Sequence, residues 1–134
     1  MNLVMDAGAL IAFLKDEPGA DTVQDILLGE NSLCRVHALN MCEVYYDFLR
    51  EYGESGAQSA VDGLLSLGIE VREDMDAEIW KHAGSYKADL RRVSLADCFC
   101  LALAGRLGAE IVTADHHEFD APAAGGVCRV RFIR

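Results

Sequence analysis

Apolar residues run through this chain in two kinds of block, short continuous ones and longer periodic ones, and their alternation predicts strands followed by helices. Leu3-Val4-Met5 is a short apolar run that stops at Asp6 and passes into Ala7 to Leu14, which suits a buried strand entering a helix. Glu17-Pro18-Gly19 breaks that helix, Val23, Ile26 and Leu27 give a second amphipathic stretch ending near Gly29, and Leu33-Cys34-Arg35-Val36 reads as a second strand. From Ala38 to Tyr52, Leu39, Cys42, Tyr46 and Leu49 keep helical spacing and predict the inward face; Asn40, Glu43 and Asp47 run beside it. Gly53 to Gly56 punctuates, and Ala57, Ala60, Val61, Leu64 and Leu65 form another helix closing at Gly68.

The second half repeats the scheme. Ile69-Glu70-Val71 is a third strand, and Asp76 to Leu90 a helix with Ile79, Trp80 and Ala83 inward. Ser94 to Gly105 carries a single charge, Asp97, and is apolar on most sides, which predicts a helix packed inside the protein. Glu110-Ile111-Val112-Thr113 is a fourth strand that again stops at an acid, Asp115. His116 to Asp120 reads as a single turn, Pro122 to Gly126 as a loop, and Val127 to Ile133 as an alternating final strand. Strands separated by helices, with no hairpin signal, predict an α/β fold: one domain whose mostly parallel sheet is flanked by helices on both faces.

Composition narrows this little. A chain of 134 residues with 51% hydrophobic content and two prolines suits one compact domain. No basic lead precedes the first acid and no apolar run is long enough to span a bilayer, so a cytoplasmic protein without a membrane partner is expected. The five cysteines lie in apolar segments without zinc-site spacing and read as reduced core residues. A net charge of -10 argues against phosphate binding unless the acids converge on cations, which would reverse the local field.

The placement of the acids therefore decides. Asp6 and Asp115 follow strands, while Glu43 and Asp97 lie near the starts of helices, so all four can reach one edge of the sheet. Asp97 alone has two readings, a first-turn carboxylate stabilised by the helix start after Ser94, or a metal ligand. Four converging carboxylates hold either protons or cations, and oxygen-only donors favour Mg²⁺ or Mn²⁺. Such ions support phosphodiester hydrolysis by activating water and stabilising charge on the phosphate and leaving oxygen.

The ordered set Asp6-Ala7-Gly8-Ala9-Leu10, Asn40-Met41-Cys42-Glu43, Ser94-Leu95-Ala96-Asp97 and Thr113-Ala114-Asp115-His116-His117-Glu118-Phe119 resembles the PIN-domain family, in particular its VapC-like ribonucleases. The resemblance covers nearly the whole chain. It implies a five-stranded parallel sheet, Mg²⁺ or Mn²⁺ dependence, endonucleolytic cleavage of RNA, a homodimer, and inhibition by a small antitoxin. Asp6, Glu43, Asp97 and Asp115 would be the catalytic, metal-binding acids, and Asn40 would orient Glu43 or touch substrate. One departure is Gly8, where the family usually has Ser or Thr; it favours the alternative of a weakly active or inactive PIN-fold module that binds RNA or protein. Asp120 is a candidate fifth acid or a loop cap. Lys87, Arg91 and Arg92 are candidates for contact with the RNA backbone or for complementing a helix C-terminus, with Arg91 or Arg92 the better choice for phosphate; His116 and His117 could donate to phosphate but read as solvated loop residues. A receiver domain would need a late lysine, and the last here is Lys87; a haloacid-dehalogenase phosphatase would need an acid where Gly8 stands.

Overall fold

The computed structural model describes every residue from Met1 to Arg134. Strands β1 (Asn2–Met5), β2 (Leu33–His37), β3 (Glu70–Arg72), β4 (Glu110–Thr113) and β5 (Val130–Phe132) form one sheet in the order β3-β2-β1-β4-β5. Every neighbouring pair is parallel. Helices α1 (Ala7–Leu14), α2 (Ala20–Leu28), α3 (Ala38–Ser66), α4 (Ala77–Asp89), α5 (Leu95–Leu107) and α6 (His116–Ala124) make the crossovers.

Strand β1 is central, and its side chains alternate between two cores. Leu3 and Met5 join residues of α1, α2 and α3, while Val4 joins those of α4 and α5. Burial on both faces explains why β1 and β4 read as continuous apolar runs rather than alternating ones. The chain builds outward from β1 through β2 to β3, then crosses back to place β4 on the other side of β1. That reversal opens a crevice at the carboxyl ends of β1 and β4, the usual ligand position in open parallel sheets.

Helix α5 is as enclosed as its composition predicts: Asp97 to Ala104 are all buried, and only its two ends, at Leu95 and at Gly105 and Arg106, face solvent. Long helix α3 is two helices joined at Gly53, whose φ of 77° is a left-handed conformation that glycine adopts without penalty.

Three local expectations differ from the structure. On the first half of α3 the inward face is Met41, Val44 and Phe48, whereas Cys42, Tyr46 and Leu49 are exposed. This half carries apolar residues on two sides, and the polar Asn40 is drawn inside because its amide is hydrogen-bonded there. Trp80 on α4 is exposed, with Lys81 Nζ 5.7 Å from its ring centre. The predicted turn at His116 and loop after Pro122 are together the helix α6, because Asp115 caps its start and Phe119 and Pro122 are buried beneath it. Strand β5 is correspondingly shorter than the alternation from Val127 suggests.

Candidate metal centre

Helix starts converge on the crevice, and most of the acids arrive there as parts of helix caps. Asp6 ends β1 and caps α1: its Oδ1 accepts from the Ala9 amide at 2.8 Å, and its Oδ2 accepts from the Thr113 hydroxyl. Thr113 ends β4, and its Oγ1 in turn accepts from the Asp115 amide at 2.9 Å. Asp115 caps α6, with Oδ1 accepting from the Glu118 amide at 3.0 Å. Asp97 lies in the first turn of α5, where its amide donates to Ser94 Oγ. Asp97 thus occupies the capped first turn that the sequence suggests, and it also faces other carboxylates.

Glu118 joins the two halves of the site. Its Oε1 accepts from the Ser94 amide, tying the start of α6 to the start of α5. Oxygens of Asp97, Asp115 and Glu118 lie within 4.8 Å of one another, the spacing of a cation cage. Glu43, in the second turn of α3, is half-buried and feels the charge of Glu118. One turn earlier Asn40 is fully buried; it donates to the Ala96 carbonyl at 3.1 Å and accepts from the Ala7 amide at 3.4 Å. The amide of Asn40 thus locks α3 against α1 and α5, fixing the helix that carries Glu43.

The electrostatics follow from this crowding. Burial pushes the Asp6 carboxyl up to about 7, against the lowering hydrogen bonds from Thr113 and Ala9, and the charges of Asp115 and Glu118 raise it further. Burial also drives Asp97 well above the ordinary carboxyl range, helped by its hydrogen bond to Glu118 and the charges of Asp6, Glu118 and Glu43. Burial works the same way on Glu118, but hydrogen bonds from Asp97 and Ser94 outweigh it and hold that carboxyl below its usual value. The hydrogen bond between Asp97 and Glu118 thus drives the two carboxyls apart, Asp97 upward and Glu118 downward. Glu43 is raised by burial and by Glu118. No lysine or arginine forms an ion pair with any of these five acids. Buried and half-buried carboxylates crowded together without a protein cation, offering oxygen donors alone, fit a hard divalent cation.

The structure thus brings together Asp6, Glu43, Asp97 and Asp115, adds Glu118 and Thr113, and places the other candidates elsewhere. Asp120 is exposed and pairs with His116 Nδ1 at 2.8 Å, while His116 Nε2 meets the Arg134 carbonyl at 2.8 Å. Lys87 Nζ donates to the carbonyls of Arg91 and Val93, so it braces the connection between α4 and α5. Arg91 and Arg92 lie in that connection, exposed. A Cβ added at Gly8 would stand 3.6 Å from Asp6 Oδ1 in ordinary contact, so the position leaves room for a hydroxyl side chain.

The model of the PIN domain matches residues 3–124. The chain belongs to the PIN-domain family. Among solved structures, this PIN domain superposes on the VapBC2 complex of Rickettsia felis bound to a promoter DNA fragment, with a TM-score of 0.75, 17% identity and 98% of each chain covered. VapBC-1 of nontypeable Haemophilus influenzae gives 0.74 at 18% identity over 99% of this chain and 98% of the other. Mycobacterium tuberculosis VapC20, described as a sarcin-ricin loop cleaving toxin, gives 0.71 at 16% identity over 89% and 94%. At these identities the likeness is one of fold. A comparison with curated proteins by sequence finds no match. No helix is long and apolar enough to cross a membrane.

Proposed function

We propose that this PIN domain is a Mg²⁺- or Mn²⁺-dependent endoribonuclease and the toxin of a toxin-antitoxin pair. The observation that carries the reading is the convergence of Asp6, Glu43, Asp97, Asp115 and Glu118 at the switch point of the sheet, uncompensated by any basic side chain. Asp97, Asp115 and Glu118 would hold the ion, with Asp6 and Glu43 completing its surroundings. When bound, a divalent ion lowers the pKa of a water and stabilises negative charge on the attacked phosphate. The chain's own residues hold these groups rigid: Thr113 fixes Asp6 and Asp115, Asn40 fixes the helix of Glu43, and Ser94 fixes Asp97 and Glu118. Arg91 and Arg92 contact the RNA.

An antitoxin partner is supported by the solved relatives, several of which are VapBC complexes. A homodimer is supported by the large apolar side chains left exposed, Tyr46, Leu49 and Tyr52 on α3 and Trp80 on α4. The protein would act in the cytoplasm, where its five unpaired cysteines would stay reduced. Gly8 favours the reading of an inactive binding module, but the Asp6 carboxylate it would serve already has the Thr113 hydroxyl.

The test is cleavage of RNA by purified, antitoxin-free protein. Products are expected with Mn²⁺ or Mg²⁺ and none with EDTA, and Asp97→Asn is expected to abolish them. Equal cleavage by the Asn variant overturns the metal-site assignment.

A further inference from the structure

Beside the acidic site, on the far side of Glu118, a cavity of about 260 Å³ opens between the α4–α5 connection and α6. Leu90, Val93 and Pro122 give it apolar walls; Arg91, Arg92 and His117 stand along it, and Glu118 is shared with the metal centre. Its two arginines are unlike the rest. Arg35, Arg50, Arg72, Arg106, Arg131 and Arg134 each pair with a carboxylate, and Arg129 donates to the Gly108 carbonyl. Arg91 and Arg92 alone among the nine have neither an ion pair nor a side-chain hydrogen bond. In a chain of net charge -10 this is a local excess of free guanidinium beside the acids.

The loop that carries them is held firmly. Lys87 Nζ donates to the Arg91 carbonyl at 3.1 Å and the Val93 carbonyl at 2.8 Å, and the Ser94 amide is bound by Glu118. The cavity is therefore fixed in register with the metal centre rather than being a gap in a loose loop.

Apolar walls, planar guanidinium groups and a ring-sized volume suit a nucleobase more than a bare phosphate. Unpaired bases stack on guanidinium planes and apolar faces, and arginine grips the adjoining phosphate by charge-assisted hydrogen bonds. Asp89 at the rim offers an acceptor for an exocyclic amino group or a ring N–H. A base can stack on these walls only when it is free of its neighbours in the strand, which points to single-stranded or loop RNA.

We infer that this cavity is a nucleotide subsite which seats the base next to the scissile phosphate, with Arg91, Arg92 and His117 as its specificity-determining residues. The inference rests on the nuclease reading for its place in the reaction, but its binding chemistry is tested without metal. In EDTA, ¹⁵N-labelled protein is titrated with each of the four ribonucleoside 5′-monophosphates and, separately, with inorganic phosphate. At least one nucleotide is expected to shift the Val93, His117 and Ala121 amides saturably and to bind more tightly than phosphate. The exposed double substitution Arg91→Ala, Arg92→Ala is expected to weaken it about 10- to 100-fold, the worth of a charge-assisted contact, while leaving Mn²⁺ affinity unchanged. His117→Ala is expected to alter the ranking of the four nucleotides. Equal affinity for phosphate and all four nucleotides overturns the subsite, as does the absence of shifts at those amides. Failure of the nuclease reading is seen separately, as RNA left intact in Mn²⁺ by the wild-type protein.

Discussion

Replacing Asp6 by Asn is expected to make the metal-free protein more stable in alkaline solution, the reverse of what most buried substitutions do. The Asp6 carboxyl is 2% exposed and accepts from the Ala9 amide and the Thr113 hydroxyl. An asparagine keeps both contacts, its oxygen accepting from Ala9 and its amide donating to Thr113 Oγ1. What it removes is a charge. Asp6 is held at about 7 where an ordinary aspartate titrates at 3.8. The folded state thus binds this proton more tightly than the unfolded chain. The associated stability is complete below about 4, declines as pH rises towards about 7, and is gone above it. Each tenfold change in proton affinity is worth 1.36 kcal/mol, so ionising Asp6 inside the fold costs about 4 kcal/mol. Urea unfolding in EDTA at pH 4 and pH 8.5 measures this directly. The Asn variant is expected to match wild type at pH 4 and to exceed it by about 4 kcal/mol at pH 8.5. Adding Mn²⁺ at pH 8.5 is expected to restore wild type more than the variant. An equal difference between the two proteins at both pH values would refute the claim that Asp6 is a strained, cation-seeking carboxylate.

Glu118→Gln retains an oxygen for the Ser94 amide, so it is expected to leave the unfolding midpoint nearly unchanged while lowering Mn²⁺ affinity and RNA cleavage by at least about tenfold, read by calorimetry and product formation. Thr113→Val deletes the hydroxyl that serves both Asp6 and the Asp115 amide; chemical denaturation is expected to show a loss of about 1–3 kcal/mol, and Thr113→Ser most of the stability retained. Gly8→Ser places a hydroxyl near Asp6 Oδ1 without a clash, and it is expected to raise Mn²⁺ affinity and cleavage rate. The same substitution relieves a helical glycine and is expected to add about 0.5 kcal/mol of stability.

The fold was legible because its central strands are buried on both faces and so appear as unbroken apolar runs, each ending at an acid that the crevice collects. Asp6 and Asp115 could be placed from those run ends, and Asp97 from being the only charge in an apolar helix. Glu118 was missed for a local reason. Asp115-His116-His117-Glu118 has the spacing of a helix cap and its third helical residue, a start signal that Pro122 seven residues after the cap disguised as a turn and loop. The face of α3 was misplaced because both of its sides carry apolar residues; only the hydrogen bonds from Asn40 to α1 and α5, contacts across the fold, decide which turns inward. Trp80 shows the related limit that periodicity marks a face without saying whether this chain covers it.

The claim that these acids form a proton-loaded cation site is met most directly by calorimetric titration of Mn²⁺ into the metal-free protein at pH 7 in two buffers of different ionisation enthalpy. Asp6 at about 7 and the raised Asp97 hold protons that a divalent ion must displace. Saturable binding with release of about one to two protons, lost in Asp97→Asn, is the predicted result. No saturation up to millimolar Mn²⁺, or binding whose heat is the same in both buffers, would contradict it.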